Sequence, residues 1–322
     1  MPTSRPRDSI PATMGDPAVS GHAVVVGFGL MGCDIAAIFL AGGWRVTAVE
    51  PDRASWPARL DRVHSSIEQL GAERRRSETL DLVASLADVG FGDADVVVEA
   101  VPERLDLKRA VFAELDALVP PGVPVASNAS GFRITDIAEG CRTAERMANL
   151  HFFLPAHLVP GVEVVRGERT DPAACDKLGA IMAGLGRQVI RVERDVPGFL
   201  ANRIQHALMR EAFHAIDSGL ASAEDVDRAV RYTFGYRYIA AGPIMQKELA
   251  GLETQLAAAA TIYPSLHNGT EPSPTLARLV AEGRLGPKTG RGFWEWTEES
   301  AAKERARYER ALRAAAKVLR EE

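Results

Sequence analysis

The segment His22–Glu50, HAVVVGFGLMGCDIAAIFLAGGWRVTAVE, constrains the fold of this chain more than any other. It opens on a β-branched apolar run that ends in Gly27, Gly29 and Gly32, spaced G-x-G-x-x-G. It then takes helical apolar spacing and returns to a strand-like run. Strand, tight turn, helix, strand is a βαβ unit. In such a unit the first glycine permits the turn, the second lets the backbone approach a pyrophosphate, and the third allows close helix–strand packing. Leu30 and Met31 stand between the last two glycines, where the amides and dipole of the new helix face phosphate oxygens. Glu50 closes the second strand, 23 residues after Gly27. An acid there accepts hydrogen bonds from ribose hydroxyls and repels a 2′-phosphate, so NAD is the expected cofactor rather than NADP. Arg53 works slightly against that preference. The alternative is a glycine-rich turn in an unrelated α/β protein, and the agreement of turn, spacing and terminal acid argues against it.

Alternation of strand and helix continues downstream. ADVVVEAV (94–101) is a buried-strand candidate, LKRAVFAELDALV a helix, VPVASNAS a strand entering a loop, and RMANLHFF a further strand. Residues 53–80 are charged and helical in pattern. DPAACDKLGAIMAGLGRQVIRV reads as a helix followed by a strand. The expected fold class is therefore α/β, a doubly wound Rossmann sheet, followed by an all-α C-terminal domain. From about Val196–Pro197 the apolar spacing becomes three and four, with helices expected at 198–218, 222–231, 242–262 and 273–283. The expected organisation is a disordered tail over 1–20, a cofactor-binding domain over 21–196, a helical substrate and dimerisation domain over 197–298, and a charged helix over 299–322.

The chain has 322 residues and a formal net charge of −5, which argues against a nucleic-acid or anionic-membrane partner. No apolar run reaches the length of a membrane span. Cys33, Cys141 and Cys175 have no CxxC spacing and form no even framework, which fits free thiols in a reducing compartment. No His/Cys cluster has metal-ligand spacing, so no metal is expected. The first twenty residues lack a signal-like apolar segment, and a cytoplasmic location is expected.

One stretch does not fit a plain core. NLHFFLPAHLVPGVEVV (149–165) is apolar and aromatic, yet it carries His151, His157 and Glu163. Read alone, a histidine in such an apolar run is more often a satisfied core or surface group than a catalyst, so the rest of the chain must decide.

Three further stretches, VEAVPERLDLK (98–108), SNASGFRITDIA (127–138) with NLHFFLP (149–155), and PGFLANRI (197–204), follow the glycine turn in a definite order. In that order the chain resembles the 3-hydroxyacyl-CoA dehydrogenase superfamily, from about His22 to about Trp296, including the late LGPKTGRGFWEW. The resemblance implies a Rossmann domain, a smaller helical domain that usually dimerises, and hydride transfer between a secondary alcohol carbon and nicotinamide. It implies His151 as general base and Glu163 as the acid that orients it. It implies Ser130 and Asn202 as groups that hold the reacting oxygen. Asn128, Glu103 and Lys108 match residues near the nicotinamide and its ribose. His157 has no such match and reads as a loop or pocket-edge residue. Each position also has a structural reading: Ser130 as a helix cap, Asn202 as a polar helix-start residue, Glu163 as a solvent-facing strand residue.

The chain departs from the family pattern at Leu154, where His-x-x-Asn-Pro is common. The substrate branch rests on two clues. The span Glu50–Glu103 looks short for the basic hairpin that holds CoA, although Arg74, Arg75 and Arg76 could meet CoA phosphates or simply end a solvated helix. TFGYRYIAAGP (233–243) resembles the branch acting on small free carboxylates, namely gulonate, carnitine and pyridine-carboxylate dehydrogenases. There Arg237 could pair with a substrate carboxylate or brace an interface acid, with Arg231 a weaker candidate. The expectation is an NAD-dependent dehydrogenase of a small hydroxy acid, working as a homodimer. The alternatives are the same chemistry on an acyl thioester, and a non-catalytic, crystallin-like NAD-binding protein, which Leu154 alone favours.

Overall fold

A computed structural model describes residues 21–319. The expected tail over 1–20 lies outside the described residues. The chain forms two compact units, one ending at Arg203 and the other beginning at Ile204, and each is described by itself.

The first unit opens with the expected βαβ, β1 (His22–Val26), α1 (Leu30–Ala41) and β2 (Arg45–Val49). There follow α2 (Trp56–Gln69), β3 (Leu80–Val83), β4 (Val96–Glu99), α3 (Leu105–Leu118), β5 (Val125–Ser127) and α4 (Ile134–Ile137). β6 (Met147–Phe152), β7 (Gly161–Val165), α5 (Pro172–Gly184) and β8 (Gln188–Val192) complete it. The strands form a single sheet ordered β3-β2-β1-β4-β5-β6-β7-β8. Every neighbouring pair is parallel except β6 with β7, which run antiparallel.

Residues 53–80 are not one helix. α2 ends at Gln69, and a 3-10 turn over Arg74–Thr79 leads into β3, which pairs with β2 at the sheet edge. LDLV is too short and too exposed for its alternation to stand out in sequence.

Alternate residues of β1 feed two cores, as the pleat requires. Ala23 and Val25 pack with Ile35 and Phe39 of α1 and Leu178 and Met182 of α5. Val24 and Val26 pack with Phe112 and Leu115 of α3 and Ile134 and Ile137 of α4. A strand covered on both faces must be apolar throughout, which is why HAVVV shows no alternation. α1 is buried all round from Gly32 to Ala41 and correspondingly lacks a polar face. Burying each large apolar side chain of these layers contributes about 1.5–3 kcal/mol.

α6 (Ala201–Asp217) carries the chain into the second unit, which contains α7 (Ala223–Tyr232), α8 (Phe234–Arg237), α9 (Pro243–Ala250), α10 (Leu252–Ile262), α11 (Pro274–Ala281) and α12 (Glu298–Val318). The helix expected over 242–262 is broken. Gly251 takes φ +93°, a conformation that ends α9 and redirects the chain into α10. Among the described residues of this unit, Leu279 is the only buried hydrophobic side chain, whereas Ile244, Leu249 and Leu256 are each more than 70% exposed. No described helix is long and apolar enough to cross a membrane.

Candidate active site

The C-terminal ends of the parallel strands gather the sequence-selected residues of the first unit along one edge of the sheet. Gly27 follows β1 with φ +91°, and a Cβ there would come within 2.7 Å of the Val101 amide nitrogen. A Cβ on Gly32 would lie 2.0 Å from the Gly27 carbonyl oxygen. These two glycines are demanded by the protein's own packing. Gly29 is different: nothing lies within 4 Å of a Cβ built on it. It stands at the N-cap of α1, where Leu30 and Met31 form the first turn and no acidic side chain is present. This open cradle at a helix N-terminus fits a pyrophosphate, as the second glycine of the pattern should.

Glu50 follows β2. Its Oε1 accepts the Asp52 amide at 3.0 Å, and its carbonyl oxygen accepts Trp56 Nε1 at 3.0 Å. The Arg53 guanidinium lies over the Trp56 ring, 5.2 Å from its centroid.

Beyond β4, the structure reveals a buried ionic knot that the sequence reading missed. Glu99 is fully buried, and its carboxylate receives Lys108 Nζ at 2.8 and 3.1 Å, Ser127 Oγ at 2.6 Å and the Val101 amide at 2.6 Å. Burial pushes the Glu99 carboxyl above the usual carboxylate range, and the Lys108 ammonium draws it part of the way back. Lys108 is 1% exposed, and Nζ also reaches the Val101 carbonyl at 3.3 Å and Glu103 Oε2 at 3.4 Å. Lys108 thus braces the loop between β4 and α3. The signal available in sequence was the lone acid in the apolar run VVVEAV.

Glu103 Oε1 accepts the amides of Ser130 and Gly131 at 3.0 and 2.9 Å. It therefore holds the loop after β5 that presents Ser130. Asn128 Oδ1 accepts the Phe152 amide at 2.9 Å, tying the same loop to β6. Asn149, fully buried and not anticipated, accepts the Ile134 amide at 2.8 Å. Ser130 does not cap α4; the N-cap there is Arg133.

His151 and Glu163 are register partners across the antiparallel β6–β7 pair. Opposed side chains on such strands share one face of the sheet, and His151 Nδ1 lies 2.7 Å from Glu163 Oε2. Both side chains are buried. The other carboxylate oxygen, Glu163 Oε1, accepts the amides of Leu200 and Ala201 at 3.1 and 2.7 Å. Glu163 is therefore not a solvent-facing strand residue. One carboxylate holds the imidazole and satisfies the first amides of α6, the helix that carries Asn202. Asn202 Nδ2 approaches the Ser130 carbonyl oxygen at 3.5 Å. His151, Glu163, Ser130 and Asn202 are thus brought into one neighbourhood. An imidazole fixed through Nδ1 by a buried carboxylate is left with Nε2 for proton exchange.

His157 lies in the loop between β6 and β7, as expected. It is buried, with Nδ1 3.1 Å from Asp34 Oδ2 and Nε2 3.2 Å from Gln69 Oε1. Asp34, on α1, also receives Arg62 Nη2 at 2.9 Å and Ser66 Oγ at 3.0 Å. Leu154 is 54% exposed. Arg237 belongs to the second unit, where it is exposed at the end of α8; with the Gln246 amide turned so that its oxygen faces the guanidinium, Oε1 accepts from Arg237 Nε at 2.9 Å and Nη1 at 3.3 Å. Arg231 lies over the Tyr232 ring at 5.5 Å. The side chains of Arg74 and Arg75 lie outside the described residues.

A phosphate cradle opening α1, an acid at the end of β2 and a carboxylate-held imidazole further along the same sheet edge suit one class of catalyst, a dinucleotide-dependent dehydrogenase. Sequence models bear this out. One described as the 3-hydroxyacyl-CoA dehydrogenase NAD-binding domain matches residues 22–196, and one described as that family's C-terminal domain matches 198–296. The chain belongs to the 3-hydroxyacyl-CoA dehydrogenase family, NAD-dependent oxidoreductases acting on CH–OH groups. It is 39% identical over 258 residues to L-carnitine dehydrogenase of Streptomyces griseus, covering 77% of this chain and 75% of that protein. It is 35% identical over 283 residues to a 3-hydroxybutyryl-CoA dehydrogenase of Mycobacterium tuberculosis, covering 84% and 97%. Among solved structures, 5-formyl-3-hydroxy-2-methylpyridine 4-carboxylic acid 5-dehydrogenase, an NAD+-dependent dismutase, matches with a TM-score of 0.87 at 28% identity, covering 94% of this chain and 99% of that one.

Proposed function

We propose that this protein oxidises, or in reverse forms, the hydroxyl group of a small hydroxy carboxylate, typically at C3, with His151 as the general base. The carrying observation is the His151–Glu163 register pair, whose 2.7 Å contact lies in a buried setting. NAD, when bound, supplies the hydride acceptor. His151 Nε2 takes the hydroxyl proton, and Glu163 stabilises the imidazolium and fixes its tautomer. Ser130 and Asn202 hold the oxygen as it becomes a carbonyl. The open Gly29 cradle and Glu50 bind the cofactor, with Asn128, Glu103 and Lys108 shaping the loops beside it.

The carboxylate reading draws on the likeness to carnitine dehydrogenase and to the pyridine-carboxylate enzyme, with Arg237 as the carboxylate partner. Its test is NADH formation on a paired panel of free hydroxy acids and 3-hydroxyacyl-CoA thioesters. Turnover of free acids alone is expected, and Arg237→Met should raise KM for the acid far more than it weakens NADH binding. Turnover of thioesters alone overturns the carboxylate reading.

We also propose that the second unit pairs with a second copy of the chain. Its apolar helix faces, with Ile244, Leu249 and Leu256 exposed, have too little partner surface within the unit. Sedimentation of the full chain should give a dimer that Leu249→Glu weakens. The three cysteines are unpaired and buried, in keeping with a reducing, cytoplasmic setting.

A further inference from the structure

Among the described residues, Phe199 is the only one other than glycine with a positive φ, at +52°. Left-handed backbone is rare for a bulky aromatic residue and persists only where the surroundings over-determine it. Gly198 before it also has a positive φ, +76°. These two consecutive left-handed residues reverse the chain after Pro197 so that the next two amides, Leu200 and Ala201, converge on Glu163 Oε1. The same turn drives the Phe199 side chain inward, where it is 1% exposed.

The ring does not simply fill space. Its edge meets His151, with centroids 5.4 Å apart and planes at 62°. Phe153 meets the same imidazole at 4.5 Å and 61°. Edge-to-face geometry at these separations is the favoured one for aromatic pairs. His151 is therefore held three ways, by a carboxylate at Nδ1 and by aromatic rings of Phe153 and Phe199. Glycine is the residue expected where the backbone must be left-handed, yet the chain keeps phenylalanine there.

We propose that Phe199 is a positioning residue for His151: its strained turn and buried ring fix the imidazole plane and couple it to the start of α6, which carries Asn202. The inference rests on His151 being the general base, and the test separates the two. Phe199→Gly keeps the left-handed turn at no steric cost and removes only the ring. Phe199→Leu retains apolar bulk and covers the event that the glycine variant folds poorly.

Each variant is measured as full-length enzyme in two ways. Side-chain 15N spectra of His151 report tautomer and exchange. Steady-state kinetics report kcat, KM and the pH profile of kcat/KM. The wild type should show one tautomer with the proton on Nδ1, and Phe199→Gly a mixed or exchange-broadened one. In Phe199→Gly, kcat should fall roughly ten- to a hundredfold, with the affinity for NADH unchanged and the pH profile displaced. Phe199→Leu should lie between Phe199→Gly and wild type in both readouts. An imidazole spectrum unchanged in both variants overturns the positioning role whatever the kinetics do. A disturbed spectrum with undiminished kcat upholds the positioning role and instead removes His151 as the base.

Discussion

Glu163 accepts the backbone amide of Ala201 at 2.7 Å through the oxygen that does not hold His151. Orientation of the imidazole and placement of the first turn of α6 are thereby set by one buried carboxylate. Replacing it should disturb both, but to different degrees. Glu163→Gln keeps one carbonyl oxygen, which can serve either the amides or the imidazole and loses the charge. Glu163→Ala removes both and leaves two amides without their acceptor, at a cost of about 1–3 kcal/mol each if they stay buried. Both variants should lose turnover, and only Glu163→Ala should also lose substantial stability. Chemical denaturation beside kinetics reads this, and equal stability losses would contradict the dual role.

His151→Ala should lower kcat by roughly 10²–10⁴, the usual worth of a general base, with NADH affinity near that of the wild type. Fluorescence titration of NADH beside steady-state rates separates the two effects. Strong residual turnover would sink the base assignment.

Glu50→Ala should relax the preference for NAD over NADP, because the carboxylate that repels a 2′-phosphate is gone. The ratio of kcat/KM for the two cofactors is the measurement. An unchanged ratio would mean that Glu50 does not meet the ribose.

The buried Glu99–Lys108 pair should behave as a coupled unit. Lys108→Met alone leaves a buried carboxylate without its cation, at a cost of about 3–5 kcal/mol. The double variant Glu99→Gln/Lys108→Met should recover part of that loss, and a double-mutant cycle in urea measures the coupling. Strictly additive losses would show that the two groups do not compensate each other.

Asp34 bears on acid stability. Burial, the largest single influence, raises its pKa, but contact with His157 and Arg62 outweighs this and holds the carboxyl below its usual value. A folded-state pKa below the unfolded one contributes stability above about pH 4, and this is lost as pH falls through the depressed value. Asp34→Asn should therefore lower stability at neutral pH and flatten the decline toward acid. Urea midpoints between neutral and acid pH test this, and parallel curves for the two proteins would refute it.

The sequence by itself determined the cofactor-binding half of this protein. The glycine turn is legible because its pattern is local: the positive φ at Gly27, the open cradle at Gly29 and the near-contact of Gly32 with Gly27 fall within six residues, even though Val101 also presses on Gly27. The alternating βαβ order and the α-helical second unit were legible for the same reason, since apolar periodicity is a property of short windows. Other features were decided by tertiary structure alone. LDLV became a strand only by pairing with β2, and Gly251 divided a helix that periodicity alone carried through. His157 found a buried carboxylate on α1, more than a hundred residues earlier in the chain. The Ser127 bond to buried Glu99 and the two amides on Glu163 join segments remote in sequence, and the left-handed turn at Phe199 is bent against its intrinsic preference. Local propensity cannot encode such contacts, because their free energy exists only once long-range packing has brought the groups together and excluded water from them.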